Sequence, residues 1–308
     1  MVIKYLGLLS NVDSSILKVK FKHGFKVESI SYEDGIDFLH SIEGISNDSW
    51  KAQNFLFEKI FSDYRCYNSN EKKMYFIKNT IKCKKLEDNK KLLLRDSKEL
   101  TYFHNNIING YLRNTLRLMR LYNGGDIRTP RNYYYIEDEL PSKSGYFTIR
   151  YVSDELFTIQ EKDLQNLHEF LNETNLPFTH GYVNLALHNY EQSYETDSPI
   201  LSILLSIIGL EVLFNPSDSE ISHRVARNTA VLLGKDKDES EIIFNDVRNL
   251  YGKRSKLIHT GKSNNITEND LIKSRCYLRK SIKKINKINI TKKELLNLLN
   301  VLGFRDKI

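Results

Sequence analysis

Hydrophobic and polar positions follow two different periods along the chain, and the change from one to the other divides it. Between residues 2 and 32, stretches such as ILKVKFKHGFKVESISY (16–32) alternate apolar and polar and are rich in β-branched and aromatic side chains. That pattern predicts strands, with a turn near His23–Gly24. NDSWKAQNFLFEKIF (47–61) predicts a helix with a polar cap at Asn47, Asp48 or Ser49. YRCYNSNEKKMYFIKNTIKC (64–83) predicts a hairpin turning at Asn68–Glu71. A helical pattern over 98–122 stops at NGGD (123–126), and NYYYIED (132–138) is expected to pair with YFTIRYV (146–152) around Pro141–Gly145.

Beyond residue 155 the strand signal fades. TIQE (158–161) has the form of a capping box opening a helix to about Asn172. Helical patterns follow at about 178–195, 199–214, 219–233, 239–260, 268–288 and 292–302, the last opened by a second capping box, TKKE (291–294). The expected fold class is therefore α+β. A mixed α/β N-terminal domain, residues 1–155, precedes an all-α bundle, residues 156–308.

The longest apolar run, ILSILLSIIGLEVLF (200–214), is too short for a membrane span and contains Glu211, so it predicts a buried core helix. No signal peptide is seen at the N-terminus. The net charge of +7 permits a polyanionic partner without requiring one. Cys66, Cys83 and Cys276 are odd in number and scattered, which suggests neither a disulfide framework nor a zinc site and fits a reducing cytoplasm. There is no GxGxxG and no HExxH, and GKRS (252–255) lacks the glycine and hydroxyl positions of a P-loop. The histidines do not cluster with cysteines at metal spacing. No metal and no cofactor is expected.

One residue breaks the helical pattern. On a helix turning about 100° per residue, Ile243, Val247, Leu250, Leu257 and Ile258 all fall within roughly 60° of Arg254. A permanent cation thus stands inside an apolar stripe, and His259 follows five residues later. The bland reading is a snorkelling arginine and a histidine that suits the negative end of the helix dipole.

The surrounding stretch, residues 202–262, resembles the ApeA-like HEPN family. An apolar helix ends in LEVLF (210–214), a basic helix closes on LLG (232–234), and a later helix ends in LYGKRSKLIHTG (250–261), similar to the family's Arg-x4-His motif. The resemblance covers roughly 175–290. It implies a HEPN-type helical bundle that pairs as a homodimer and acts as a metal-independent endoribonuclease, a toxin or anti-phage effector of the cytoplasm. Arg254 and His259 carry over as the catalytic pair, with Ser255 and Glu211 as supporting residues. Glu211, costly in an apolar helix unless paired, is expected to hold Arg227 or Arg254.

The chemistry suits these residue types. The RNA 2′-OH attacks the adjacent phosphate, imidazole transfers protons near neutrality, and a guanidinium fork takes up the phosphorane's charge. The ends left are a 2′,3′-cyclic phosphate and a 5′-OH. Arg254 and His259 lie about 140° apart on an ideal helix, so they converge only if the last turn unwinds or a second protomer completes the pair. Thr260 and Gly261 replace the tyrosine that follows the histidine in toxins silenced by nucleotidyl transfer. On the last helices Lys280, Lys283, Lys284 and Lys287 are expected to form a cationic, RNA-binding face outside a buried stripe of Leu271, Leu278, Ile282 and Ile285. The expected partners are RNA, a second copy of the chain, and a regulatory protein or phage-derived trigger read by the N-terminal domain. The alternative is a non-catalytic HEPN module that binds RNA or protein.

Overall fold

The computed structural model describes residues 2–43, 65–83, 98–136, 145–147, 153, 155–215, 220–260 and 266–304, with backbone alone at 43, 145–147 and 258–260. The helix expected at 47–61 lies outside them. The chain forms two compact units, Met1–Thr174 and Asn175–Ile308. Together they are an α+β protein.

The first unit is built on an antiparallel sheet. Its strands are β1 (Val2–Ser10), β2 (Lys26–Ser31), β3 (Tyr67–Asn68), β4 (Lys73–Lys82), β5 (Arg128–Tyr135) and β6 (Gly145–Phe147). The order across the sheet is β2-β4-β1-β5-β6, with β3 paired to β4. The hairpin expected at 64–83 forms, with Tyr67 opposite Met74, and β5 pairs with β6 through Arg131 and Phe147.

Alternation along β1 sends Ile3, Tyr5 and Leu9 to one face and Leu6 and Leu8 to the other. The first face packs on a long helical segment made of α2 (Lys98–Tyr102), a π-helix (Phe103–Leu112) and α3 (Arg113–Asn123). Leu100, Phe103, Leu112, Leu116 and Met119 supply its side of that core. The second face packs on α1 (Tyr32–Glu43) through Ile36, Leu39 and Ile42. Both faces are covered, which is why these strands carry so many large apolar residues.

Three expectations in this unit are corrected. Residues 14–18 form a 3-10 turn rather than a strand, because Asp13 accepts from the Ser15 amide at 2.9 Å and offers the backbone a local alternative. The capping box at TIQE does not form. The Thr158 carbonyl instead accepts from Asn123, and the Ile159 amide donates to Ser15 Oγ at 3.0 Å. The helix that follows, α4 (Leu164–Glu173), is entered through a 3-10 turn without a side-chain cap. Phe157, Ile159 and Leu167 are buried in the sheet's core, so the boundary between units falls after Thr174 and not after residue 155.

All the regular structure described in the second unit is helical. It comprises α5 (Gly181–Gln192), α6 (Pro199–Phe214), α7 (Ile221–Leu233), α8 (Lys237–Thr260), α9 (Glu268–Ile288) and α10 (Lys292–Val301). Ser198 caps α6, with Pro199 at its first position, and the capping box at Thr291–Glu294 opens α10 as expected. Ile203, Ile207, Leu210, Leu213 and Phe214 of α6 are buried against α5, α7 and α9. No described helix is long and apolar enough to cross a membrane.

A buried cation ties this core together. Arg275 on α9 is 4 % exposed, donates to the Ser193 carbonyl and to Ser202 Oγ (2.9 Å), and lies 3.8 Å from the centre of the Tyr194 ring. Arg275→Ala leaves Ser202 Oγ without its donor and the Ser193 carbonyl with Ser202 Oγ alone. Charge-assisted bonds of this kind are worth about 1.5–3 kcal/mol, so the variant is expected to lose at least that much in urea unfolding of residues 175–308. Arg275→Lys keeps the charge but not the fork, and is expected to fall between the two.

Candidate functional site

The helix that carries the candidate site, α8, is opened by Asp236, which accepts from the Glu239 amide at 2.8 Å, with Asp238 and Glu239 in its first turn. Its inner stripe is formed by Ile243, Val247, Leu250 and Tyr251, all buried, and Leu257 is half-buried. Arg254 stands on that stripe where the core thins, with its side chain 30 % exposed.

The cation has a partner there. Arg254 Nη1 lies 3.5 Å from Glu211 Oε1 on α6, and the Glu211 side chain is 21 % exposed. Of the two arginines Glu211 was expected to hold, it holds this one. Arg227 on α7 instead donates to the carbonyls of Leu299 (2.8 Å) and Leu302 (2.6 Å), satisfying the end of α10. Tyr251 completes the cluster, its ring centre 5.9 Å from the Arg254 guanidinium carbon. Burial, followed by the Glu211 charge, pushes the Tyr251 phenol far above its ordinary range, so it stays protonated.

This cluster carries unused hydrogen-bonding capacity. Arg254 Nε is buried without a hydrogen-bond partner, and Glu211 Oε1 and Tyr251 Oη, which interact with each other, are buried without one of good geometry. Buried polar atoms are rarely left so, and here three of them meet at the rim of the bundle. Tyr251, one turn before Arg254, was missed in the sequence because an aromatic at that spacing reads as core.

The backbone of α8 is helical through Thr260. The last turn is not unwound, so positions 254 and 259 stay about 140° apart around the axis. Nothing is described of the His259 side chain. Ser255 is exposed, one turn before position 259.

The start of α9 is anchored next to the site. Lys253 donates to Asp270 Oδ2 at 2.6 Å, and the same carboxylate closes a capping box with Thr267 at the start of α9. Thr267-x-x-Asp270 is a cap legible in the sequence, although the helix pattern alone does not draw attention to it. Burial works to raise the Asp270 pKa, but the Lys253 bond, the Thr267 bonds and the Lys253 charge together hold it below the usual carboxylate value. Farther along, Asp246 of α8 accepts from Lys273 (2.8 Å) and Tyr277 (2.6 Å) of α9.

The cationic face on α9 is narrower than its sequence suggests. Leu278, Ile282 and Ile285 are fully buried as expected, whereas Leu271 is half-buried. Arg275, which reads in the sequence as one of the surface cations, points into the core. Lys284 donates to the Leu232 carbonyl at 2.7 Å and so caps α7. Lys283 is half-buried, and burial, with Arg279 and Lys280 nearby, brings its ammonium down to about 8. Lys280 and Lys287 are the exposed members of the four.

Among the described residues no group of three or more His, Cys, Asp or Glu side chains is placed to hold a metal ion. Compared with protein-family models, curated proteins and solved structures, the chain matches none.

The Asp270 linkage predicts a pH dependence. A carboxylate whose folded pKa is depressed stabilises the fold above its unfolded value, about 3.9, and that contribution disappears as pH falls through the lower folded value. Between about pH 5 and pH 3, wild type is expected to lose stability more steeply than Asp270→Asn. Denaturant unfolding at each pH measures both; parallel curves would show that Asp270 adds nothing in this window.

Proposed function

We propose that the chain is a metal-independent endoribonuclease of the HEPN type, with its catalytic centre at the end of α8. The observation that carries this reading is the partly exposed Arg254 guanidinium, fixed by Glu211 beside buried polar atoms short of hydrogen bonds. A positioned guanidinium at a rim suits a phosphate whose charge grows in the transition state. In this mechanism the 2′-OH of RNA attacks the adjacent phosphorus and His259 donates a proton to the departing 5′-oxygen. Arg254 stabilises the phosphorane, Glu211 sets its direction and Ser255 orients the imidazole. The ends left are a 2′,3′-cyclic phosphate and a 5′-OH, and neither a metal nor a cofactor takes part.

The intact α8 favours a composite site. A single protomer keeps positions 254 and 259 on different sides of the helix, so a second copy supplies the missing member. An apolar stripe on α6 supports that dimer. Leu201 is 47 % and Ile208 38 % exposed, Leu204, Leu205 and Val212 lie along the same side, and Glu211 flanks them. Exposed stripes of this kind mark association surfaces. By the HEPN resemblance the protein is a toxin or anti-phage effector of the cytoplasm, and the N-terminal unit answers to a regulatory protein or a phage-derived trigger. The second reading, a non-catalytic module that binds RNA or protein, draws on the same separation of positions 254 and 259 within one protomer.

Arg254→Ala and His259→Ala are each expected to lower cleavage of total RNA about 10²- to 10⁴-fold, with EDTA leaving wild type unaffected. Mixing the two inactive variants separates the geometries. A composite site regains activity, because one of its two clefts then holds an intact pair, whereas a site complete within each protomer regains none. Cleavage that persists in both single variants would remove this motif from the chemistry.

Lys280 and Lys287 are expected to bind RNA phosphates. Lys280→Glu with Lys287→Glu should flatten the salt dependence of RNA binding by roughly one to two units of slope without changing the melting temperature. Lys284→Glu is expected to lower the melting temperature, since it removes the cap on α7. A salt slope unchanged in the double variant would make that face a solvated surface.

A further inference from the structure

The first unit contains a small pocket, polar groups set in a mostly apolar lining, that the ribonuclease reading does not use. Its cavity is about 220 Å³ and is lined by Lys20, Lys22, Tyr111, Thr115, His168 and Asn172 over an apolar wall of Phe21 and Leu171. No carboxylate of the described residues lines it.

Backbone hydrogen bonds fix the direction of its polar groups. The Lys20 amide donates to His168 Nε2 at 3.0 Å, so the neutral ring carries its proton on Nδ1. The Lys22 amide donates to Tyr111 Oη at 2.5 Å, which leaves the phenolic proton available to donate elsewhere. Thr115 Oγ1 donates to the Tyr111 carbonyl at 2.9 Å. Tyr111 belongs to the π-helix Phe103–Leu112, a rare backbone form found often at functional sites.

The two lysines are exposed and make no ion pair with a described residue, whereas nearby Lys18 is paired with Glu161 at 3.0 Å. Burial, with the Lys20 charge added to it, holds the His168 pKa below its ordinary value. Among the described residues the lining therefore brings together two cations, a phenol, an imidazole N–H and the Asn172 amide, and no anion. That is a receptor for a group that only accepts hydrogen bonds and carries negative charge.

We propose that this pocket binds the phosphate group of a small phosphate monoester. Lys20 and Lys22 neutralise the dianion, and Tyr111 and His168 Nδ1 donate to its oxygens. The cavity is smaller than the roughly 300–1,000 Å³ of a drug-sized site. It seats a phosphate and part of the group attached to it, with Phe21 and Leu171 against that group. A track for a nucleic-acid strand would be an open groove with successive stacking aromatics. The proposal rests on the first unit alone and is independent of any RNA cleavage.

Isothermal titration of the full chain at low salt tests it, with inorganic phosphate, AMP and adenosine as probes. Phosphate and AMP are expected to bind, with adenosine at least about tenfold weaker. The double variant Lys20→Ala, Lys22→Ala should weaken AMP binding by about tenfold or more. Lys26→Ala removes the same kind of charge outside the lining and should leave AMP binding unchanged. Matching melting temperatures for these exposed substitutions confirm an intact fold. Adenosine binding as well as AMP, a double variant that binds like wild type, or absence of heat with both phosphate probes each overturns the proposal. A 5′-phosphorylated oligonucleotide that binds where AMP does not also overturns it, in favour of a nucleic-acid track.

Discussion

A helix that is apolar on nearly every side has to be surrounded, and the second unit is arranged around that requirement. In α6, Ile203, Ile207, Leu210, Leu213 and Phe214 are buried, each worth roughly 1.5–3 kcal/mol of transfer free energy. The helices α5, α7 and α9 supply the surface that covers them. The polar groups on α6 are satisfied locally: Ser202 donates to the Ser193 carbonyl, and Ser206 donates to the Ser202 carbonyl at 3.0 Å. Arg275 then uses Ser193 and Ser202 as acceptors, so one small polar knot holds α6, α9 and the end of α5 in register.

Glu211 follows from the same constraint. It lies on a helix committed to burial, and an unpaired carboxylate there carries a desolvation cost of several kcal/mol. Arg254, 3.5 Å away on α8, offsets it. The arginine that looks misplaced on one helix and the glutamate that looks misplaced on another are one interaction seen twice. What that pair leaves short of hydrogen bonds, at Arg254 Nε and Tyr251 Oη, is the polar capacity on which the proposed site rests.

In the first unit the corresponding constraint is a sheet buried on both faces. Tyr5 and Tyr134 turn to the α2–α3 side, and Tyr133 and Tyr135 to the α1 side. The start of β5, an interior strand, is locked by Asp126, fully buried, with Arg128 Nε at 2.6 Å and the Ser153 amide donating at 2.9 Å. That carboxylate joins segments far apart in sequence, which is why the NGGD stretch is more than a helix stop.

The sequence by itself determined the elements whose signals are local. Period-2 alternation in 67–82, the 3.6-residue stripes of α5 to α10, and the Thr291–Glu294 box depend on neighbours a few residues away, and they appear where expected. The cation inside the stripe at Arg254 was equally legible, because helical geometry alone places it there. Long-range partners decided the rest. Thr158 and Ile159 were drawn into bonds with Asn123 and Ser15, which cancelled a cap and moved the unit boundary to Thr174. Arg275 and Lys284 left the cationic face because buried carbonyls on other helices compete for their protons. The choice of Arg254 over Arg227 for Glu211, and the meeting of Lys20 and Lys22 with Tyr111 and His168, depend on which surfaces pack together. A one-dimensional pattern states how much each segment must bury; only packing states against what.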